Sequence, residues 1–300
     1  MNWILLSLTS AIFLGLYDIA KKAAVRDNAV PPVLFFNVLT AACLWLPAVV
    51  LSAGRTSLQL PELFRVESIS WQIHALLFAK SALVGCSWIL ALYALKNLPM
   101  SIAAPIRASS PFWTILIAVA FLNERPNVWQ WVGVAIILIS FYAFSMLGQR
   151  EGIVFHRDRW VGFMILATLL GACSALYDKF LLQKMNLGVA TVQAWFSIYL
   201  VVVMLPLAFR WRTKDRRKSP FEWRWSIPMI AVLLLSSDFL YFTAVQKPDA
   251  LISIISPVRR TSLIIAFIAG ILIYGEKNWK PKAACVAGLL AGAYVLSLSR

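Results

Sequence analysis

The sequence reads Pro105-Ile-Arg107-Ala-Ser-Ser110 in the first half of the chain and Pro257-Val-Arg259-Arg-Thr-Ser262 in the second half. This match is part of a longer one, because residues 104–145 align without a gap with residues 256–297 and bring Glu124 onto Glu276. An earlier triplet, Leu16-Tyr17-Asp18, recurs as Leu176-Tyr177-Asp178. The chain therefore contains two copies of one sequence unit.

The composition predicts a membrane protein. Hydrophobic residues make up 61% of the 300 residues, and mean hydropathy is +0.77. A helix that crosses a bilayer needs about 20 mostly apolar residues. Ten segments meet this requirement, at residues 3–20, 32–53, 72–95, 101–122, 128–147, 160–183, 189–209, 225–245, 250–274 and 281–298. The expected fold class is an all-α integral membrane protein with ten transmembrane helices.

Each copy holds five of these segments, and an odd number turns the second copy upside down in the bilayer. The predicted division is residues 1–147 for the first repeat, 148–159 for a connecting loop and 160–300 for the second repeat. Inverted repeats of this kind are typical of secondary transporters, which hold their substrate near the midplane between the halves. Transport is therefore the first functional hypothesis.

Glycines within the segments predict close helix packing. Gly288 and Gly292 lie in the last segment, and Gly162 and Gly171 lie in the sixth. Small residues let neighbouring helix backbones approach each other in a membrane.

The formal charge of +15 has a membrane explanation. Most Lys and Arg residues fall in the connections after odd-numbered segments, with the densest run between Arg210 and Arg224. Basic loops stay in the cytoplasm beside anionic headgroups, so this distribution places that loop inside and both termini outside. Nucleic-acid binding is disfavoured because a short loop without a folded module has no surface that reads bases.

A known family shares the pattern that begins at Pro111. The motifs are an apolar run from Pro111 that closes in Asn123-Glu124-Arg125, then Gln130-Trp-Val-Gly133, and in the second copy Gly275-Glu276-Lys277 with Gly292. They resemble the EamA-like repeat of the drug/metabolite transporter superfamily. The second copy departs from the pattern at Leu263 and Cys285, and the first at Asn123 and Ser140.

The resemblance implies two five-helix EamA-type repeats in a plasma membrane of bacterial inner-membrane type. It also implies a midplane cavity formed chiefly by segments 1, 3, 4, 6, 8 and 9, and termini on the cytoplasmic side, contrary to the charge distribution. Members of the superfamily export amino acids and other metabolites, and relatives exchange sugar phosphates or nucleotide sugars.

Four basic residues at membrane depth are the leading candidates for substrate binding: Lys80, Arg107, Arg259 and Arg260. Charges there cost roughly 2.5–3.5 kcal/mol each on the translocon-insertion scale, so their default interpretation is functional. A guanidinium also matches a carboxylate or phosphate with two parallel hydrogen bonds. The competing interpretation is that they reach the headgroups or pair with internal acids.

Acidic and aromatic residues complete the candidate set. Asp238 is a further substrate-binding candidate that could exchange a proton, or else a static partner of Lys80 or Arg260. The pairs Tyr17-Asp18 and Tyr177-Asp178 are candidate gating residues at opposite mouths of the cavity. A local salt bridge with Lys21 and Lys22 is the simpler explanation of Asp18. Another set, Trp88, Tyr93, Trp113, Tyr241 and Phe242, is interpreted as helix-packing residues.

The resulting hypothesis is a secondary transporter, an exporter or exchanger that moves a small polar metabolite by alternating access. The cargo is expected to be anionic or zwitterionic, because the predicted interior holds more basic than acidic groups: Lys80, Arg107, Lys179, Arg259 and Arg260 against Asp18, Asp178 and Asp238. The alternative is a flippase for a lipid-linked, phosphate-containing intermediate. No paired carboxylates, nucleophile with base or metal-ligand motif indicates an enzyme, a metal site or another cofactor. The partners are the lipid bilayer and the small-molecule substrate, and the chain is expected to be a monomer or homodimer.

Overall fold

The computed structural model describes most of the chain. The described residues are 3–53, 61–99, 102–103, 106–107, 109–110, 112–114, 116–117, 128–149, 157–248, 250, 255, 258–259, 261–273 and 279–298. Pro105, Glu124, Pro257, Arg260 and Glu276, on which parts of the sequence interpretation depend, lie outside these residues.

The described residues form α-helices and contain no β-strand. The helices are α1 (Trp3–Val25), α2 (Val30–Ala53), α3 (Trp71–Asn97), α4 (Val128–Gln149), α5 (Arg159–Lys179), α6 (Val189–Arg210), α7 (Ser226–Gln246), α8 (Ser262–Leu272) and α9 (Trp279–Leu298). One π-helical turn extends α5 (Phe180–Lys184) and another extends α6 (Trp211–Asp215), and a 3₁₀ turn (Glu62–Phe64) precedes α3.

Six of these helices are long and apolar enough to cross a membrane: α1, α2, α3, α5, α6 and α7. Their bounds agree with the predicted segments to within a few residues, and the largest difference is that α1 continues to Val25. Predicted segments four and nine fall on stretches of which the structure describes only parts.

The helices pack in four main pairs among the described residues. α1 lies against α7 while α3 lies against α5, α2 contacts α6, and α4 contacts α9. α2 and α6 each contain an internal proline, Pro47 and Pro206. The chain also turns alike before these two helices, because Asp27 (φ 53°) precedes α2 and Asn186 (φ 50°) precedes α6. Asn and Asp tolerate this left-handed conformation better than most residues.

The glycine predictions are confirmed for α9 and wrong for α5. A Cβ on Gly292 would lie 2.9 Å from the backbone oxygen of Gly133, so α9 packs directly on the backbone of α4. A Cβ built on Gly162 or Gly171 meets no atom of the described residues within 4 Å. These two glycines therefore do not mediate close packing among the described helices: Gly171 faces the central cavity described below, and Gly162 is exposed elsewhere on α5.

Candidate substrate-binding cavity

A cavity of about 170 Å³ lies between α1, α3, α5 and α7. The segment around Arg107 and Ser110, the ring of Phe196 from α6, and Arg259 complete its walls. All six segments that were expected to form a cavity contribute to its lining. α6 also contributes, through Phe196, although it was not expected to. The charged side chains that line it are Lys21, Lys80, Arg107, Asp178, Asp238 and Arg259.

Lys80 is the most deeply buried charge of the cavity, with 1% of its surface exposed. Its Nζ forms a salt bridge with Asp178 of α5. The same Nζ lies 4.6 Å from the ring centroid of Phe196 and 4.3 Å from that of Phe242. A carboxylate and two aromatic faces therefore replace the water that a lysine normally keeps.

Arg259 forms the second ion pair. Its Nη2 lies 3.0 Å from Asp238 Oδ1 and donates to Ser237 Oγ at 3.2 Å. The guanidinium stacks on Tyr241, with 4.0 Å between Cζ and the ring centroid. Arg259 Nε is buried and has no hydrogen-bond partner among the described residues, so one strong donor is still available.

Asp238 is held in place through its neighbour Ser237. Ser237 Oγ donates to Ser10 O at 2.9 Å, and Ser10 Oγ donates to Ser237 O at 2.8 Å. This reciprocal pair joins α1 to α7 at the level of the cavity. The position of Asp238 is thus fixed by hydrogen bonds from the serine hydroxyl of each helix to the backbone carbonyl of the other.

A third charged cluster contains two cations and one acid. Arg107 Nη1 donates to Asp18 Oδ1, and Lys21 Nζ lies 3.9 Å from the same oxygen. Lys21 Nζ also lies 4.6 Å from the ring centroid of Tyr17. Because Lys21 and Arg107 share one carboxylate, the formal charges of this cluster sum to one excess positive charge.

The structure brings most of the sequence-predicted residues together. Tyr17, Lys80, Arg107, Asp178, Asp238 and Arg259 line the cavity, and Asp18 contacts it through Arg107. Tyr177 does not line it, because its hydroxyl donates to Leu76 O at 3.1 Å. Arg260 lies outside the described residues.

Two predicted pairings are wrong. Asp238 does not pair with Lys80, because Asp238 binds Arg259 and Lys80 binds Asp178. The other predicted partner of Asp238, Arg260, lies outside the described residues. The local explanation of Asp18 holds only for Lys21, since Lys22 Nζ donates to the carbonyl oxygens of Leu95 and Leu98, at 2.8 Å each.

Lys21 and the aromatic walls of the cavity were not predicted from the sequence as parts of the site. Lys21 was assigned only to a local salt bridge, yet it lines the cavity and is 3% exposed. Trp88, Tyr241 and Phe242 were interpreted as packing residues, but they also line the cavity. Their spacing resembles that of any buried helix face. Among the described residues, no group of three or more His, Cys, Asp and Glu side chains lies close enough to hold a metal ion.

A charged, aromatic-walled cavity inside a bundle of bilayer-length helices defines a membrane transporter of small molecules. The sequence pattern of the EamA-like transporter family matches residues 1–146 and again residues 158–298. The chain belongs to the EamA-like transporter family, which is part of the drug/metabolite transporter superfamily. It is a multi-pass plasma-membrane protein.

Two curated relatives and one solved structure are similar over nearly the whole chain. The S-adenosylmethionine uptake transporter of Rickettsia conorii (strain ATCC VR-613 / Malish 7) is 25% identical over 281 residues, which cover 92% of this chain and 84% of the relative. The transporter of the same name from Rickettsia prowazekii (strain Madrid E) is 25% identical over 279 residues, covering 91% and 84%. A crystal structure superposes with a TM-score of 0.64 at 14% identity and covers 99% of this chain and 98% of that one, which indicates a shared fold. The family and the relatives point to a transporter of a small metabolite rather than an enzyme.

Proposed function

We propose that this protein is a secondary transporter that carries a small zwitterionic or anionic metabolite through the central cavity by alternating access. The observation that carries the proposal is the excess positive charge at Asp18, where Lys21 and Arg107 share one carboxylate. A carboxylate of the cargo can neutralise that excess. A buried cation without its own counter-charge is unfavourable, and a carboxylate that binds beside it supplies that counter-charge.

The proposed architecture is ten transmembrane helices in two inverted repeats, residues 1–147 and 160–300, joined by residues 148–159. Three features support it: the reciprocal pairing of α1 with α7 and of α3 with α5, the matching prolines of α2 and α6, and the matching turns at Asp27 and Asn186. Two halves of this kind can rock about a central site and open it to either side in turn.

The names of the two Rickettsia relatives suggest the first cargo to test. S-adenosylmethionine contains an α-amino acid group, with a carboxylate and an ammonium, and a sulfonium that can contact aromatic faces. Trp88, Phe196 and Tyr241 offer such faces in the cavity. The relatives are named for uptake, and a gradient-driven carrier or exchanger runs in either direction, so the gradients set the direction of net flux.

The two Tyr-Asp pairs are proposed gating residues. Asp18 binds Arg107 in one repeat, whereas Asp178 binds Lys80 of the other repeat. A change of partner at either acid would loosen the helices that it joins. The oligomeric state proposed for the transporter is a monomer or homodimer.

The second candidate function, a flippase for a lipid-linked phosphate, is favoured by one observation. An apolar groove of about 590 Å³ lies on the outer side of α2 and α7 and is walled by Trp45, Phe64 and Phe239. Such a groove can hold an acyl chain. Competition between a water-soluble metabolite and a lipid-linked phosphate for the purified protein separates the two functions.

A cavity-blocking variant tests the proposed function. Gly171 lines the cavity and has open space where a side chain would lie, so Gly171→Leu should fill the cavity without disturbing helix packing. We expect wild-type protein in vesicles preloaded with unlabelled S-adenosylmethionine or amino acids to accumulate labelled compound by counterflow. The Gly171→Leu variant should lose this activity by at least about tenfold, because cargo and leucine side chain exclude each other.

Gly162→Leu is the matched control, since Gly162 lies on the same helix, also in open space, but outside the cavity. It should transport like the wild type. Equal counterflow in both variants would remove this cavity from the transport route, and counterflow of none of the compounds by the wild type would refute the proposed cargo class.

A further inference from the structure

A small second chamber adjoins the central cavity. It has a volume of about 10 Å³ and lies between α2, α6 and α7. Trp88, Phe196, Leu234 and Asp238 line both spaces, so only side chains separate them. The rings of Trp88 and Phe196 meet edge to face, with centroids 6.2 Å apart.

Two buried amide side chains line this chamber with unused acceptors. Gln193 is 1% exposed and Asn37 is 4% exposed. Gln193 Nε2 donates to Leu235 O at 2.8 Å, which orients the amide and leaves Oε1 without a hydrogen-bond partner among the described residues. Asn37 Oδ1 likewise has none. Buried acceptors are normally satisfied, so two orphan oxygens in one chamber indicate a missing donor.

The chemistry of the chamber selects that donor. Asn37 Oδ1, Gln193 Oε1 and the Asp238 carboxylate are all acceptors, and Asp238 adds a negative charge. An ammonium group offers three donors and a positive charge, whereas a carboxylate or phosphate offers neither. A volume of about 10 Å³ is also the space that one water molecule requires, and an ammonium group is of similar size.

We infer that the chamber is the subsite for an ammonium group of the cargo and that the transported metabolite is therefore a zwitterion. The inference rests on the proposed transport function. The ammonium binds Asp238, Asn37 and Gln193, and Arg259 releases Asp238.

The carboxylate of the cargo then lies between the unused Nε of Arg259 and the cluster of Lys21 and Arg107, which line the same cavity. The ion pair between Arg259 and Asp238 is thereby replaced by two new pairs, one between Asp238 and the ammonium and one between Arg259 and the carboxylate. Neither Arg259 nor Asp238 is left without a counter-charge.

The test compares ligands that differ only in the amino group. The probes are S-adenosylmethionine and a panel of α-amino acids, each with a counterpart in which hydrogen replaces the ammonium, titrated against purified full-length protein. The wild type should bind at least one aminated probe about tenfold or more tightly than its counterpart, because a hydrogen bond to a charged group is lost. Asn37→Leu and Gln193→Met should each reduce this preference, because the ammonium then loses one acceptor beside Asp238, and should leave affinity for the counterpart unchanged.

Asn37→Asp is the conservative variant, because it keeps an acceptor oxygen in the chamber, and it should retain the preference for the aminated probe. If Asn37→Leu weakened the binding of an aminated probe and of its counterpart equally, Asn37 would have a structural role and the inference would be overturned. Unchanged affinities in both apolar variants would mean that the chamber holds water alone, which overturns it too. A wild type that binds a probe and its counterpart equally refutes the ammonium subsite while the transport proposal stands, and binding of neither class refutes the proposed cargo itself.

Discussion

Asp178→Ala is expected to lower the free energy of unfolding by about 3–5 kcal/mol, because it leaves a buried ammonium without its counter-charge. Lys80 is 1% exposed and lies against the rings of Phe196 and Phe242, so little water is available to replace the lost carboxylate. Denaturant titration of the purified protein in detergent micelles measures the change.

Two variants make this result specific. Replacing both partners, in Lys80→Leu/Asp178→Leu, should recover most of the loss, because a buried ion pair can be exchanged for apolar side chains at little net cost. Asp215→Ala breaks a solvent-exposed pair with Arg210 and should change stability by less than about 1 kcal/mol. A single Asp178→Ala variant as stable as the Asp215→Ala control would mean that Lys80 and Asp178 do not form a buried pair.

Arg259→Gln is expected to weaken cargo binding by about 2–5 kcal/mol, as for the loss of one member of a buried, hydrogen-bonded charge pair. Arg259→Lys should recover only part of it, since an ammonium cannot reproduce the planar fork of donors or its stacking on Tyr241. The affinity for the cargo and the melting temperature of each variant are measured on the same preparation. The same two measurements on Arg260→Gln serve as a comparison at the neighbouring residue.

The ion pair with Asp238 requires a further control, because Arg259→Gln also leaves a buried acid. The double variant Arg259→Gln/Asp238→Asn removes both charges and should regain stability without regaining affinity. A purely structural arginine predicts the opposite pattern, in which stability falls and the folded fraction binds normally. Wild-type affinity in folded Arg259→Gln would remove Arg259 from the binding site.

The helices were predictable from sequence because each one is a long apolar segment with its own ends. α2, for example, was expected at 32–53 and spans Val30–Ala53. In a bilayer, burial of such a segment depends on its own length and hydropathy. The prediction of close packing failed at Gly162 and Gly171 because a glycine in a helix can either contact a neighbouring helix closely or face a space. The sequence does not distinguish these two cases.

The charged lining of the cavity was predictable as a set of residues, whereas the ion pairs within it were not. Lys80, Arg107 and Arg259 were identified because a charge at membrane depth is conspicuous in any sequence. The pairing of Lys80 with Asp178 joins α3 to α5, residues far apart along the chain, and no local spacing encodes it. Lys21 was missed because its spacing from Asp18 already suggested a local salt bridge.

Alternating access requires that the cavity be reachable from each side of the membrane in turn, and the labelling of a single cysteine measures this. Gly171 is exposed to the cavity, so a Gly171→Cys variant, with Cys43, Cys86, Cys173 and Cys285 replaced by alanine, places one thiol there. In vesicles of known orientation, alternating access predicts that a membrane-impermeant thiol reagent labels this cysteine from either face, and that transported cargo slows labelling from both. Labelling from one face alone, with cargo present or absent, would contradict the account.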